Sequence, residues 1–528
     1  MTALPPEPLR LNFVQKTVGP FYVEMFQQRP YPLDVSGWIE HGIVTMLDRM
    51  AGSVGVAFPA LSELLPEEDG VVLRLVPPTP RPTLKVLAAP LSIAHRIRRY
   101  DPSRWTHDER FTRFLAQVEQ VKSHNPQRLP WQALVSDGWE LFAAMGRITE
   151  LRVSYLPASF TPQLPLRLML LLLGRRRLAA PLIAGAETRT SQSNRELERL
   201  ARQVSADAPL SQAFADLEPE ELLRRLSADA AFAEFNVAFR AFLAEYGHRE
   251  TVSVVLTSSP TWSDAPEVVL GLVKVLLAER VPPADQTGDA LQELTKHPAM
   301  GNRWLRGRVL AAVRRAKTGM AFREDSHSYA TMVIPPLRRV LLEMGRRLTE
   351  AGVINDPPDV FHLRWEELAK LGEARELAEA DRQRYRKLVR SRANKRQELA
   401  GFPLLDLNAL FADRHTDADA LLTGTGASGG TATAPARIVA GPAEFGTLRA
   451  GEVLVCPYTN PSWTPLFQRA VAVVVDTGGM GSHAAIVARE YGIPAVMGTR
   501  NATSTLVNGQ CVTVDGTRGR VTAASGAS

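Results

Sequence analysis

The residues best suited to catalytic chemistry lie close to the C-terminus, where Gly478, Gly479, Gly481 and Ser482 precede His483. Ser482 is a favourable N-cap residue and residues 484–490 are helix formers, so His483 is predicted in the first turn of a helix. Unpaired backbone N–H groups and the helix dipole favour an anion there and disfavour imidazolium. A neutral imidazole beside an anion site can accept a phosphoryl group and hold it as a phosphoramidate. The alternative is that His483 only caps or packs a strand–helix junction.

The elements that position this histidine are predicted from the pattern before it. Residues 470–475 form a continuous β-branched apolar run, which is typical of a strand buried on both faces. Two glycines then permit a tight turn. Strand-like runs at 436–439 and 453–455 predict a compact α/β unit, whereas residues 92–415 are mainly helical in pattern. Within that region, a capping box at residues 193–196 predicts the start of a helix.

Residues 478–496 resemble the phosphohistidine signature of the phosphoenolpyruvate-utilising enzymes, which include pyruvate phosphate dikinase, phosphoenolpyruvate synthase and rifampin phosphotransferase. The similarity extends through residues 451–455, 460–467 and 514–516. It implies a swivelling domain that carries a phosphoryl group on His483, with Gly479, Gly481 and Ser482 binding that group. The dikinases have threonine where this chain has Gly481, but family members of the rifampin type also lack that hydroxyl.

The layout of the chain resembles the rifampin phosphotransferases more than the dikinases. About thirty residues follow Gly498, whereas the barrel that binds phosphoenolpyruvate needs roughly 250 residues. Residues 242–250, 260–262 and 264–267 resemble a segment of that family's acceptor-binding domain, and residues 323–324, 337–345 and 356–363 resemble the part that follows it. The Tyr-Gly-His-Arg step at residues 246–249 follows an amphipathic helix and places a glycine at its C-cap. If the helical region holds an acceptor, we expect His248 to act as a base for its hydroxyl and Arg249 or Arg323 to neutralise the arriving phosphoryl group. Alternatively, these side chains hold helix ends together through carboxylates.

The sequence therefore predicts an α+β multidomain protein, with a large mainly α-helical part followed by a small α/β phosphohistidine domain. We expect a helical acceptor-binding region at 1–420, a flexible glycine-rich linker at 421–430 and the swivelling domain at 431–526. No glycine-rich phosphate-binding loop is found before residue 420. We therefore expect half of a split phosphotransferase, with ATP and Mg²⁺ bound by a separate ATP-grasp protein and no cofactor or metal site on this chain.

Composition and charge exclude several other classes of function. A net charge of +6 over 528 residues is mild, and without a recognition pattern it does not indicate nucleic-acid binding. The most apolar stretch, 164–173, is too short to span a bilayer. Cys456 and Cys511 lie in strand-like runs and favour buried thiols in a reducing cytoplasm. The rival hypothesis is a non-catalytic protein that binds an apolar small molecule and keeps a relic histidine domain. The sequence does not identify the acceptor.

Overall fold

A computed structural model describes residues 9–183, 186–277, 286–411 and 420–524. These residues form two compact units. The first contains the chain up to residue 158 together with 252–260 and 329–410, and the second contains 159–251, 261–328 and the chain from residue 411 onward. The predicted helical region therefore does not form a single body, because distant segments of the chain return to pack within the first unit.

The first unit is mainly helical. Its buried centre is built from large aromatic side chains, including Trp38, Phe114, Trp131 and Trp365. Two short antiparallel strand pairs join Val56–Ala57 to Arg81–Pro82 and Glu67–Glu68 to Val71–Val72. Its helices are Phe13–Met25, the π-helix Asp34–Val44, Thr45–Ser53, Leu61–Leu64, Ala89–Arg99, Glu109–Ser123, Trp131–Phe160 up to residue 158, Ile334–Glu350, Trp365–Lys370, Glu379–Glu398 and Leu407–Leu410.

A buried carboxylate fixes the segment 252–260 within the first unit. Asp34 is fully buried, and its Oδ1 accepts hydrogen bonds from the Thr257 hydroxyl at 2.7 Å and the Ser258 amide at 3.0 Å. Trp38 donates from Nε1 to the Val254 carbonyl at 2.8 Å. Because unsatisfied buried polar groups are costly, these contacts explain why a segment distant in sequence belongs to this unit.

The second unit combines a helical part with the C-terminal α/β domain. The helical part has a leucine- and valine-rich core that includes Leu166, Leu170, Leu294 and Val309. Its helices are Gln163–Leu172, Ala179–Ile183, Arg189–Ala206, Ala208–Asp216, Pro219–Ala228, Ala233–Tyr246, Pro266–Leu277, Gln286–Thr295 and Arg303–Ala330 up to residue 328.

The helix that was predicted to begin at the capping box of residues 193–196 begins earlier. Helix Arg189–Ala206 follows Thr188, whose side chain and that of Ser191 form a reciprocal capping box. Ser193 therefore lies inside the helix, where it is buried. The prediction was wrong because serine is a good cap only where backbone N–H groups are unpaired, and Thr188 offers the same chemistry one turn earlier.

An eight-stranded mixed sheet forms the C-terminal domain. The strands are β1 (Leu422–Thr423), β2 (Thr425–Ser428), β3 (Thr431–Ile438), β4 (Val453–Cys456), β5 (Ala472–Val475), β6 (Ala495–Met497), β7 (Cys511–Asp515) and β8 (Arg520–Ala523). Their order across the sheet is β1-β8-β7-β3-β4-β5-β6-β2. Strands β3 to β6 run parallel, and the other neighbours pair antiparallel. The short helices are Thr464–Phe467, His483–Tyr491 and Ala502–Thr505. A helical protein with a small C-terminal α/β domain is thus confirmed.

The predicted linker at 421–430 is not a linker in the structure. It contains β1 and β2, and β2 pairs with β6 at one edge of the sheet. A Cβ atom on Gly424 would lie 2.5 Å from the Met497 carbonyl oxygen, and one on Gly426 would lie 2.4 Å from that of Gly516. These glycines permit close contact between backbones, a role that a sequence cannot distinguish from flexibility.

Candidate active site

A strand, a glycine turn and a helix place His483, in the predicted order. β5 ends at Val475, and Gly478 then adopts a left-handed conformation with φ of +85°. Ser482 is the N-cap, and its hydroxyl accepts a hydrogen bond from the Ala485 amide at 3.2 Å. Helix His483–Tyr491, which we call the histidine helix, carries His483 as its first residue. This local arrangement is confirmed.

The His483 ring is partly buried and held on one nitrogen. Its Nδ1 lies 3.2 Å from the Thr459 hydroxyl, and the Phe467 ring meets it edge-on with centroids 6.5 Å apart. Burial is the largest influence on the ring and lowers the pKa of His483 to about 3, with Arg249 and His327 acting in the same direction. The imidazole is therefore neutral at physiological pH. Because Nδ1 faces Thr459, Nε2 is the nitrogen suited to bond phosphorus.

The predicted phosphoryl-binding residues surround the start of the histidine helix. The Ser482 amide donates to the Gly479 carbonyl at 3.1 Å, which closes the turn. Ser482 is buried and its hydroxyl oxygen caps the helix. Gly481 is exposed, and a Cβ atom there would contact nothing within 4 Å. Packing therefore does not require glycine at 481, and a larger side chain would fit there.

Arg249 is a buried cation in the helical part of the second unit. Its Nη1 donates to the Ser193 hydroxyl at 2.5 Å, its Nη2 donates to the Thr190 hydroxyl at 3.2 Å, and its guanidinium lies 5.2 Å from the centroid of the Trp262 ring. These two hydrogen-bond acceptors are neutral hydroxyls, which orient the guanidinium without cancelling its charge. That charge contributes to the lowered pKa of His483. A buried guanidinium that is held in this way is the kind of group that can stabilise an anion.

A carboxylate and an imidazole form a second element of the site. Glu250 Oε1 lies 2.9 Å from His327 Nε2, and the two side chains are 8% and 26% exposed, respectively. Burial alone would raise the pKa of Glu250, but His327 and Arg249 together bring it below the usual value. Glu250 is therefore an ionised buried carboxylate with an imidazole partner, and both residues influence the pKa of His483.

One loop of the C-terminal domain joins His483 to this cluster. The loop begins at Thr459, which contacts the His483 ring, and continues into a short 3₁₀ turn at Pro461–Trp463. Asn460 donates from Nδ2 to the Thr251 carbonyl at 3.0 Å, and the Ser462 hydroxyl donates to the Glu250 carbonyl at 2.6 Å. One loop thus contacts both the imidazole of His483 and the backbone carbonyls of Glu250 and Thr251, which follow Arg249 in the chain.

The other two residues predicted to bind the acceptor have different surroundings. His248 is buried, at 9% exposure. The Arg323 guanidinium stacks 4.5 Å from the centroid of the Phe160 ring, and burial lowers its pKa. Among the three predicted acceptor-side residues, Arg249 is the one whose charge acts on His483. The assignments of His248 and Arg323 remain predictions.

Sequence reasoning missed Thr459, Glu250 and His327 as site residues. Thr459 directly precedes the segment 460–467 that resembles the family, and Glu250 directly follows Arg249, so both were adjacent to recognised positions. His327 lies four residues after Arg323 on one helix, and it carries no motif of its own. The signal that identifies it is its pairing with Glu250, which requires the fold.

No group of three or more histidine, cysteine, aspartate or glutamate side chains suited to hold a metal ion occurs within residues 9–183, 186–277, 286–411 and 420–524. Over the same ranges, every helix is too short or too polar to cross a bilayer. Cys456 is buried, and burial raises the pKa of its thiol well above the ordinary value, so a reactive thiolate is disfavoured.

The two stretches of chain that contain these residues match known domains. Residues 448–519 match the mobile domain of phosphoenolpyruvate-utilising enzymes, and residues 153–324 match the fourth domain of rifampicin phosphotransferase. The first match contains His483 and Thr459. The second contains Arg249 and Glu250, and it ends three residues before His327. The resemblance that was predicted from the sequence is confirmed.

Similar proteins carry names of the same kind. An uncharacterised phosphotransferase, YvkC, from Bacillus subtilis is 39% identical over 215 residues, which cover 38% of this chain and 26% of that protein. Rifampicin phosphotransferase from Streptomyces sviceus is 30% identical over 302 residues, or 54% of this chain and 34% of that protein. A probable phosphoenolpyruvate synthase from Staphylothermus marinus is 43% identical over 134 residues, covering 25% of this chain and 15% of that protein. The chain thus spans between 15% and 34% of the length of these relatives.

Proposed function

We propose that this chain is a phosphotransferase component that carries a phosphoryl group on His483 and passes it to a small-molecule acceptor held by the helical part of the second unit. The observation that carries the proposal is the electrostatic effect of a buried guanidinium on a neutral imidazole. His483 has a ring whose pKa is lowered to about 3, and Arg249 is the nearby cation that helps to lower it. A neutral nitrogen is nucleophilic toward phosphorus, and a fixed cation stabilises the charge that develops on the transferring group.

The first half of the reaction charges the histidine. We propose that the phosphoryl group comes from ATP with Mg²⁺, both bound by an ATP-grasp protein that acts in trans. Resemblance to the rifampicin phosphotransferases supports this source. Nε2 of His483 attacks the phosphorus, and the bond from that phosphorus to a bridging oxygen of ATP breaks, with its electron pair leaving on that oxygen. Thr459 holds the ring from the opposite nitrogen so that the lone pair on Nε2 is directed outward.

The second half returns the group to an acceptor. Arg249 faces the phosphorylated ring while its own orientation is fixed by Ser193, Thr190 and Trp262. A side chain that is already held in place loses little freedom when it binds, so more of its electrostatic attraction is available to stabilise the transition state. The same geometry is poorly explained by a relic domain, because a relic has no need for a buried cation beside the ring.

The experiment is a labelling assay with ATP that carries ³²P in the γ and β positions in separate preparations. The purified chain is incubated alone and with a candidate ATP-grasp protein, and acid-labile, base-stable label on the chain is measured. We expect label on the wild type in the presence of the partner and none on His483→Ala. His107→Ala, which alters an exposed histidine of the first unit, is the matched control and should label normally.

Two results would contradict the proposal. The first is label of unchanged intensity on His483→Ala, which would place the phosphoryl group on another residue. The second is an acceptor that becomes phosphorylated by the His483→Ala protein. Label on the wild-type chain without any partner would refute only the dependence on a second protein. A protein that binds apolar ligands equally well with and without His483, and never labels, would instead favour the non-catalytic alternative.

A further inference from the structure

The Glu250–His327 pair is not required for carrying a phosphoryl group on His483, yet it lies within electrostatic reach of that ring. Each of the two residues alters the pKa of His483, with His327 lowering it and Glu250 opposing that effect. The pair sits on the helical side, where the acceptor would be held. A role in the half-reaction that involves the acceptor is therefore consistent with its position.

The hydrogen bond between the pair fixes the form of the imidazole. Glu250 is ionised and 8% exposed, so its Oε1 can only accept a hydrogen bond from the ring nitrogen that lies 2.9 Å away. The nitrogen that donates is Nε2 of His327, which leaves the lone pair of neutral His327 on Nδ1. A carboxylate that orients an imidazole in this way also stabilises the imidazolium that forms when Nδ1 takes up a proton.

Exposure separates the two partners in a way that suits proton transfer. Glu250 is shielded, whereas His327 retains 26% of its side-chain exposure. A ligand can therefore reach the imidazole but not the carboxylate. The Glu250 carbonyl also accepts a hydrogen bond from Ser462, on the loop whose Thr459 contacts His483. The pair is thus attached to the same loop that positions the phosphoryl carrier.

We propose that His327 is the general base for the acceptor hydroxyl and that Glu250 is the residue that positions it; this inference rests on the proposed function. As the acceptor oxygen attacks, a bond forms between that oxygen and phosphorus while the bond between phosphorus and Nε2 of His483 breaks. The electron pair of the broken bond stays on Nε2. The hydroxyl proton moves to Nδ1 of His327, and the resulting imidazolium is neutralised by Glu250. The step needs no further reactant.

This assignment differs from the sequence-based prediction, in which His248 was the base. His248 is 9% exposed, whereas His327 is more accessible and is paired with an ionised carboxylate. General-base assistance by a positioned side chain typically contributes roughly 10²–10⁴-fold to a rate. Loss of His327 should therefore leave charging of His483 intact and slow the discharge by a factor in that range.

The test separates discharge from charging. The full chain is phosphorylated with ³²P-phosphoramidate, a small donor that needs no nucleotide site, and excess donor is removed. Methanol is then added as the probe acceptor, and both labelled methyl phosphate and inorganic phosphate are followed over time. Water is always present as a second acceptor, so the discharge of every variant that carries label can be measured.

We expect His327→Gln to carry as much label as the wild type and to discharge it roughly 10²–10⁴-fold more slowly. The increase in discharge rate with pH that a base confers should be lost, and free imidazole should restore part of the rate in His327→Ala. Glu250→Gln should also discharge slowly, because an amide N–H can hold the opposite tautomer of His327, and Glu250→Asp should recover part of the rate.

A similar pair elsewhere in the chain provides the matched control. His124 Nδ1 lies 3.0 Å from Asp137 Oδ2 in the first unit, with side-chain exposures of 35% and 9%. His124→Gln removes a histidine–carboxylate pair of similar burial and should discharge its label at the wild-type rate. Circular dichroism verifies that each variant is folded.

Discharge of His327→Gln at the wild-type rate with unchanged pH dependence would overturn the inference. If the variants fail to fold, the solvent deuterium isotope effect on wild-type discharge decides, since the proposal requires slower discharge in D₂O and equal rates would refute it. Failure of the proposed function gives a different result, namely a wild-type chain that never carries label on His483.

Discussion

Glu490 offers a direct test of the charges that surround the histidine helix. It lies seven residues after His483, two helical turns along the same face. Burial is the main cause that raises the pKa of Glu490 to about 7; Glu324 adds to this effect and Arg489 opposes it. Replacement by glutamine keeps the shape of the side chain and removes the charge that the folded protein disfavours.

The expected gain follows from the shift in pKa. A change from 4.5 to about 7 corresponds to at most about 3.4 kcal/mol, since each unit is worth about 1.36 kcal/mol. Glu490 is partly exposed, and solvent screening reduces this to about 1–3 kcal/mol. The neutral carboxyl contributes its stability fully below the unfolded-state value of 4.5, and that contribution is lost as the pH rises through about 7. Glu490→Gln should therefore be stabilised mainly in alkaline solution.

Urea denaturation of the wild type and Glu490→Gln near pH 5 and pH 8.5 measures this effect. We expect the free energy of unfolding to rise by about 1–3 kcal/mol in the variant at the higher pH and to change little at the lower pH. Asp325, whose pKa burial raises to about 6, leaves part of the wild-type pH dependence in place. Equal stability of the two proteins near pH 8.5 would show that Glu490 is not held in a destabilised charged form.

Three further substitutions test individual contacts of the site and of the sheet. Thr459→Val removes the hydroxyl beside Nδ1 of His483, and loss of one hydrogen bond worth about 1 kcal/mol should slow labelling by phosphoramidate about fivefold; an unchanged labelling rate would dismiss a positioning role. Arg249→Gln should raise the pKa of His483, measured by NMR titration, and slow discharge roughly 10²-fold, whereas a pKa that stays constant would contradict the assigned electrostatics. Gly424→Ala should lower the free energy of unfolding by about 1–3 kcal/mol, measured in urea, because its Cβ atom would collide with backbone; Gly481→Ala is the open-space control, and equal stabilities would argue against the close contact.

The local part of the site could be predicted from the sequence because its determinants are contiguous. The apolar strand before Gly478, the turn, the cap at Ser482 and the helix after it all lie within about twenty residues, and each follows from a preference of the residues themselves. The structure reproduces that order, with β5, the N-cap and the histidine helix as expected. What the sequence could not supply was the main cause of the low pKa of His483, which is burial of the ring rather than the helix terminus alone.

The contacts that were not predicted depend on distant partners. Glu250 and His327 are separated by 77 positions and meet only because the fold places a loop beside a long helix. The glycines of 421–430 were misinterpreted for a related reason. Gly424 and Gly426 are needed because the carbonyls of Met497 and Gly516 approach them closely, and those residues come far later in the chain. The sequence alone does not distinguish a glycine that permits close backbone contact from a glycine that makes a linker flexible.

The positive charge of Arg249 acts differently on the empty and the phosphorylated ring. On the empty ring it adds to burial, which is the main cause of the lowered pKa of His483. On a ring that carries a phosphoryl group, the same charge attracts the anion. By linkage, any arrangement that favours the phosphorylated ring must be favoured less after discharge, by the same free energy. If His483 carries a phosphoryl group as proposed, binding of the C-terminal domain beside Arg249 should be tighter before transfer than after it, which would favour release of the domain once the phosphoryl group has gone.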